Sequence, residues 1–220
     1  MTIKVLYEDN HIIAVFKPAG MLTQADITGD VCLMDEVKKY LKEKYKKSGN
    51  VFLGLLHRLD RNVCGIVLFA KTSKGASRLS EQFRNHTIEK IYHAVVIGKP
   101  KESRGVLVNY LAKDEDKNIV EVFVESSPDA KRAELEYEVI KSNEKFSLLK
   151  IKIKTGRSHQ IRVQLADIGC PILGDTKYGA KKSLPDKSLA LAATQISFKL
   201  VTKNEVKTIS VPAPFSLPKS

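Results

Sequence analysis

The residues best suited to chemistry in this chain gather at His57-Arg58-Leu59-Asp60-Arg61, between two apolar runs. One carboxylate sits there among three side chains that carry, or can carry, positive charge. Neighbouring cations favour the ionised form of a carboxylate, which is the form a nucleophile or general base requires. The same composition also describes an ordinary loop salt bridge, so it nominates Asp60 without assigning a reaction. Two further segments offer functional side chains. In Lys90-Ile91-Tyr92-His93-Ala94, Tyr92 supplies a flat ring and a hydroxyl, and a strand would turn His93 to the opposite face. Thr155-Gly156-Arg157-Ser158-His159-Gln160-Ile161-Arg162 places a cation, Arg162, at the edge of a helix face that Ile161, Leu165 and Ile168 would bury.

The elements that must position these residues follow from periodicity. Residues 3–7 and 11–17 read as strands joined by the turn Glu8-Asp9-Asn10, and Lys17-Pro18-Ala19-Gly20 breaks the pattern. Residues 33–47 read as an amphipathic helix, with Leu33, Val37, Tyr40, Leu41 and Tyr45 facing inward and lysines outward. Residues 64–71 form a short apolar strand. Ser73 is placed to cap a helix that carries Ala76, Leu79 and Phe83 on one face. From 88 to 154 strands dominate; Leu135, Tyr137 and Val139 alternate with Glu134, Glu136 and Glu138. Ser158 is placed to cap a short helix that Gly169 ends. Residues 171–188 are loop-like, and strands near 195–201 and 206–211 close the chain. The expectation is an α+β fold: one catalytic domain over residues 1–220, with a mixed, largely antiparallel sheet flanked by helices.

Lys and Arg total 37 against 25 Asp and Glu, a formal net charge of +12, which favours a polyanionic partner such as nucleic acid. Cys32, Cys64 and Cys170 are isolated and five histidines are scattered without metal-site spacing, so no metal is expected. No stretch approaches a membrane span and none leads the chain as a signal peptide. The expected setting is the cytoplasm, or an organelle matrix if a targeting segment has been removed, with a monomer as the default state.

The segment His57–Arg61, followed by Gly65 and Phe69-Ala70-Lys71-Thr72, resembles the signature of RluA-type RNA pseudouridine synthases. Tyr7-Glu8-Asp9-Asn10 and Lys17-Pro18-Ala19-Gly20 are similar to that family's N-terminal segment. Lys90–Ala94, ending at Gly98, resembles its tyrosine motif, and Thr155–Arg162 its arginine motif. Gly169, Pro171-Ile172, Gly174-Asp175 and Tyr178-Gly179 continue the likeness. The resemblance implies that Asp60 is the catalytic aspartate, that Tyr92 lies against the target base, and that Arg162 is the basic residue paired with Asp60. It suggests Leu189 or Leu191 as an apolar residue below the site. Asn62-Val63-Cys64 and Ala192 depart from the usual pattern without touching those three roles. The family's small N-terminal RNA-binding domain is expected to be absent, since the likeness begins at residue 3.

Such an enzyme breaks the uracil–ribose C–N bond, rotates the base and joins C5 to C1′. No atoms are gained or lost and no redox change occurs, so no cofactor is expected. A carboxylate beside C1′ can attack or stabilise the developing positive charge, or remove the C2′ proton; the sequence leaves both routes open. The partner would be structured ribosomal or transfer RNA with a uridine that can leave its stack. Arg58, Arg61, Lys71, Lys74, Arg157 and Lys177 are the candidate phosphate contacts. The competing readings are a catalytically silent RNA-binding module and a hydrolase, for which Asp175 would be the second carboxylate; the family-like pattern Gly174-Asp175, with Tyr178-Gly179 just beyond, favours a structural turn for Asp175 instead.

Overall fold

Alternating and β-branched stretches become strands in the computed structural model of the chain, which describes residues 3–219. The fold is α+β, with a mostly antiparallel sheet and helices α1, α2 and α3 at Leu33–Lys44, Ser73–Arg84 and Gln160–Asp167. Contacts divide the chain into two units. One holds residues up to Ile88 together with Gln195–Val211, the other Glu89–Thr194 and the C-terminal residues from Pro212. Among the described residues, no helix is long and apolar enough to cross a membrane.

In the first unit, β1 (Lys4–Glu8) and β2 (Ile12–Lys17) form an antiparallel pair. Asp9 makes the turn, its Oδ1 accepting the backbone N–H groups of His11 and Ile12 at 2.7 and 2.8 Å. β2 continues antiparallel to β4 (Cys64–Ala70), which also pairs with the short β3 (Gly54–Leu55). β4 is buried along its whole length, which explains why it reads as one apolar run rather than an alternation. Helix α2 lays Leu79 onto Ile12, Ala14, Ile66 and Leu68, with Ile196, Phe198 and Ile209 completing the core. The last two come from β10 (Leu191–Lys199) and β11 (Val206–Ser210), which pair antiparallel over Gln195–Lys199.

The strands of the second unit lie in the order β5-β9-β8-β6-β7, antiparallel throughout, with the hairpins β6–β7 and β8–β9 side by side and β5 against β9. Its strands are β5 (Glu89–Ile97), β6 (Arg104–Asp114), β7 (Ile119–Phe123), β8 (Lys131–Ser142) and β9 (Phe146–Ile153). Two glutamates of β8 face cations on adjacent strands: Glu136 lies opposite Lys152, and Glu138 opposite Lys150 and Arg104. The alternate residues, Ala133, Leu135 and Tyr137, are buried. Val163 of α3 packs with Leu111, Val120, Ala133 and Tyr178.

Two caps fall one residue from their expected places. Thr72, not Ser73, caps α2: its hydroxyl accepts the Gly75 N–H at 3.1 Å while Thr72 itself stays extended. A Cβ on Gly75 would lie 2.6 Å from the His11 carbonyl oxygen, so a larger residue could enter only if that turn moved. Helix α3 is preceded by His159 in the left-handed region (φ 49°) rather than by a Ser158 cap. Gln160 fastens that corner instead, accepting from the Thr155 hydroxyl and the Arg157 N–H and donating to the Glu134 carbonyl. Tyr45 lies beyond the end of α1, and both Tyr45 and Ile168 are exposed rather than on buried faces.

A charged knot closes the outer end of β1. The Glu8 carboxylate accepts from Lys44 and Lys71 at 2.7 and 2.6 Å and from the hydroxyls of Tyr45 and Tyr40. Burial alone would push the Glu8 carboxyl up, but the hydrogen bonds from Lys44, Lys71 and Tyr45 together outweigh it and hold the pKa down at about 2. The unfolded chain therefore binds the extra proton first as the pH falls. The stabilisation is complete above the ordinary value of 4.5 and is lost as the pH drops toward about 2. Urea denaturation at a series of acid pH values should show wild-type stability falling over that window relative to Glu8→Gln. Parallel curves for the two proteins would contradict the assignment.

Candidate active site

Asp60 lies half-buried on the loop between β3 and β4, and both of its chain neighbours are fixed. On one side Leu59 is buried, and its N–H and carbonyl both bond the buried hydroxyl of Thr23, at 3.2 and 2.9 Å. On the other side the Arg61 carbonyl accepts from the Gly20 N–H at 2.8 Å and from Lys17 Nζ at 3.0 Å. The Arg61 side chain returns to the Gly20 carbonyl through Nε and pairs with Asp30 at 2.6 Å. The Val63 N–H then donates to the Asp60 carbonyl at 3.1 Å, closing a turn. The carboxylate thus projects from a backbone gripped on both sides by the segment 17–23.

Lys17 is the unexpected part. It is fully buried, and its ammonium donates to the carbonyls of Pro18, Met21 and Arg61 at 3.1, 2.7 and 3.0 Å. Burial pulls its pKa down to about 8, although the negative charges available at Cys64 and Asp60 offset part of the shift. The sequence marked Lys17-Pro18-Ala19-Gly20 as the end of a strand and as part of a family-like segment, without a role for Lys17 itself. A signal was present: Ile13, Val15 and Lys17 share one parity of β2, so Lys17 continues a core-facing row.

Tyr92 is a buried residue of β5, opposite Ile151 of β9. Its neighbour His93 points to the other face, where Nδ1 meets the Thr194 hydroxyl at 2.7 Å. Burial, and then Lys150, push the His93 imidazole below its ordinary pKa. Arg162, on α3, is buried and forks onto Asp175, Nε to Oδ2 at 2.7 Å and Nη2 to Oδ1 at 2.9 Å. Its Cζ lies 5.0 Å from the centre of the Tyr178 ring. The sequence reading gave Arg162 one acidic partner, Asp60, and regarded Asp175 as a turn residue. Asp175 does hold a turn, accepting from the N–H groups of Tyr178 and Ala180, and it is a bidentate partner of Arg162 as well. His57 takes a structural place, its Nε2 accepting the Leu68 N–H at 3.0 Å and its ring stacking on Phe83. Leu189, Leu191 and Ala192 are buried at and beside the start of β10.

The candidate phosphate contacts divide. Arg58, Lys74, Arg157 and Lys177 are exposed. Arg157 and Lys177 each also donate to a backbone carbonyl, of Arg132 and Asn118 respectively. Arg61 is about half exposed while paired to Asp30. Lys71 must be withdrawn: its three ammonium donors go to Glu8, the Asp9 carbonyl and the Tyr45 hydroxyl, and its side chain is 11% exposed. All three cysteines are buried thiols, and the described residues hold no cluster of three or more metal-ligating side chains.

A family model described as RNA pseudouridylate synthase matches residues 11–167, a span that includes Asp60, Tyr92 and Arg162. The chain belongs to this family, in agreement with the RluA-type motifs. It is 33% identical to the ribosomal large subunit pseudouridine synthase C of Rickettsia prowazekii over 89% of its length, spanning 63% of that protein. It is 34% identical to an uncharacterized RNA pseudouridine synthase of Aquifex aeolicus, covering 96% of this chain and 70% of the relative. The fold matches human RNA pseudouridylate synthase domain containing 4 with a TM-score of 0.81 at 24% identity, over 96% of this chain and 88% of the other.

Lys17→Met should keep most of the buried volume while removing the donor to three carbonyls, lowering stability by about 1–3 kcal/mol at neutral pH. Because the folded ammonium has a depressed pKa, the unfolded chain holds more protons between about 8 and the ordinary 10.5. Wild-type stability relative to Lys17→Met should therefore rise across that interval. Chemical denaturation from neutral to alkaline pH measures the difference, and a flat difference would refute the buried-ammonium assignment.

Proposed function

We propose that this chain isomerises uridine to pseudouridine in RNA, with Asp60 as its catalytic carboxylate. The observation that carries the reading is the family match over residues 11–167, within which Asp60 stands on a loop fastened on both sides. Fastening matters because a carboxylate must be held close to C1′, or to the C2′ proton, before the C–N bond weakens. Tyr92 would lie against the uracil ring while it turns, and Arg162 would be the cation of the site. The exposed Arg58, Lys74, Arg157 and Lys177 would contact phosphates of a ribosomal or transfer RNA. The isomerisation itself calls for no redox cofactor and no co-substrate, since its substrate and product have the same atoms and oxidation state.

The hydrolytic alternative loses support from one observation. Water attack at C1′ calls for a second carboxylate as base, and the sequence offered Asp175. That group is 1% exposed with both oxygens bonded to Arg162, an arrangement suited to holding a guanidinium rather than activating water.

Purified protein incubated with RNA tritiated at uracil C5, without added cofactor, should release tritium, and Asp60→Asn should abolish release while leaving RNA binding within about twofold. Binding without release by the wild type would identify a silent RNA-binding module; free uracil would identify a hydrolase. Salt titrations separate the cations. Arg58→Ala should reduce the slope of log K against log salt by about one. Lys71→Ala should leave the slope unchanged and lower stability instead.

A further inference from the structure

Arg162 is held from two directions by residues to which the reaction itself assigns no part. Asp175 takes two of its five N–H donors in a fork, with both side chains nearly excluded from water. The same guanidinium lies over the ring of Tyr178, its Cζ 5.0 Å from the ring centre. The 3-10 turn Thr176–Tyr178 carries the ring, and the turn is set by glycines at either end. Gly174 (φ +90°) has no room for a Cβ, which would come within 2.8 Å of the Ser188 carbonyl, and Gly179 has φ +106°.

The Tyr178 hydroxyl extends the arrangement. It accepts the N–H of Val120 on β7 at 2.8 Å and is hydrogen-bonded to His159 Nδ1 at 2.8 Å, at the residue that starts α3. With its oxygen already accepting from Val120, its own proton is available to His159 Nδ1. Beside it, Lys177 Nζ donates to the Asn118 carbonyl at the turn between β6 and β7. The turn that grips Arg162 is thus tied at two points to the β6–β7 hairpin.

We propose that Asp175 and Tyr178 are positioning residues that fix the orientation of Arg162 and link it to the β6–β7 hairpin. This deepens the synthase reading and rests on it. An arginine side chain visits many rotamers, and a planar carboxylate partner with a ring against it leaves essentially one orientation. The orientation of the remaining guanidinium donors follows from that of the fork. An effect transmitted through Arg162 must vanish when Arg162 is removed, whereas a purely structural effect must persist.

The test is a double-mutant cycle of Arg162→Gln, Asp175→Asn and the pair, with Tyr178→Phe alongside. It reads the single-turnover rate of pseudouridine formation, RNA affinity and thermal unfolding. Asp175→Asn should slow turnover roughly tenfold, the scale of coupling between contacting residues, with RNA affinity within about twofold. Tyr178→Phe, which keeps the ring and loses the hydroxyl bonds, should slow it by about threefold. Adding Asp175→Asn to Arg162→Gln should cost no further rate. An additive loss, or full activity in Asp175→Asn, overturns the proposal. Should the single variant fail to fold because its guanidinium is left uncompensated, the pair, neutral on both sides, is compared with Arg162→Gln. If the wild type converts no uridine, the activity reading falls. The Arg162 Nε–H resonance then decides the positioning claim: loss of its exchange protection in Asp175→Asn supports the claim, and unchanged protection overturns it.

Discussion

A buried ammonium with no carboxylate among its hydrogen-bond acceptors organises the Asp60 loop. Lys17 gives its three protons to the carbonyls of Pro18, Met21 and Arg61, at the point where two separate segments of chain meet. Burying a charge is costly unless its bonding capacity is met, and here three carbonyl dipoles meet it. The same bonds satisfy backbone oxygens that the irregular segment 17–23 could not pair with a strand. Asp60 depends on this arrangement through the adjacent Arg61 carbonyl, as it depends on Thr23 through Leu59.

The second unit solves a similar problem by a different route. Arg162 is also a buried cation, but a carboxylate neutralises it and an aromatic ring covers it. The choice of side chain fits each task. A compact ammonium converges three carbonyls from three directions, whereas a planar guanidinium suits a fork and a flat contact. Neither group is readily exchanged for the other cation.

Charge at the surface serves two ends that composition cannot separate. A net charge of +12 draws a polyanion toward the protein, yet several of its lysines and arginines are paired with carboxylates of the chain. Lys71 and Lys44 bind Glu8, and two β8 glutamates face lysines and arginine on neighbouring strands. What remains for phosphate is the subset with exposed heads, among them Arg58 and Lys74.

Period-two alternation in residues 134–139, the apolar run at 64–70 and the helical spacing through Leu79 were enough to find strands β8 and β4 and helix α2, because each depends on local geometry and on which side chains avoid water. Three ordered motifs were enough to nominate Asp60, Tyr92 and Arg162. Caps were misplaced by a residue because Thr72 and Ser73 have the same chemistry, and only the backbone path decides which hydroxyl meets the Gly75 N–H. Lys71 looked like any surface lysine because nothing in its neighbours in sequence announces Glu8, 63 residues earlier. Asp175 likewise read as a turn residue, and its fork with Arg162 exists only once α3 and the 3-10 turn pack together. Residue type and local period thus located the elements, and the resemblance of three ordered motifs to a known family nominated the chemistry. Which charge faces which partner was decided by tertiary packing, because charge pairing depends on distance through space and a one-dimensional pattern carries only separation along the chain.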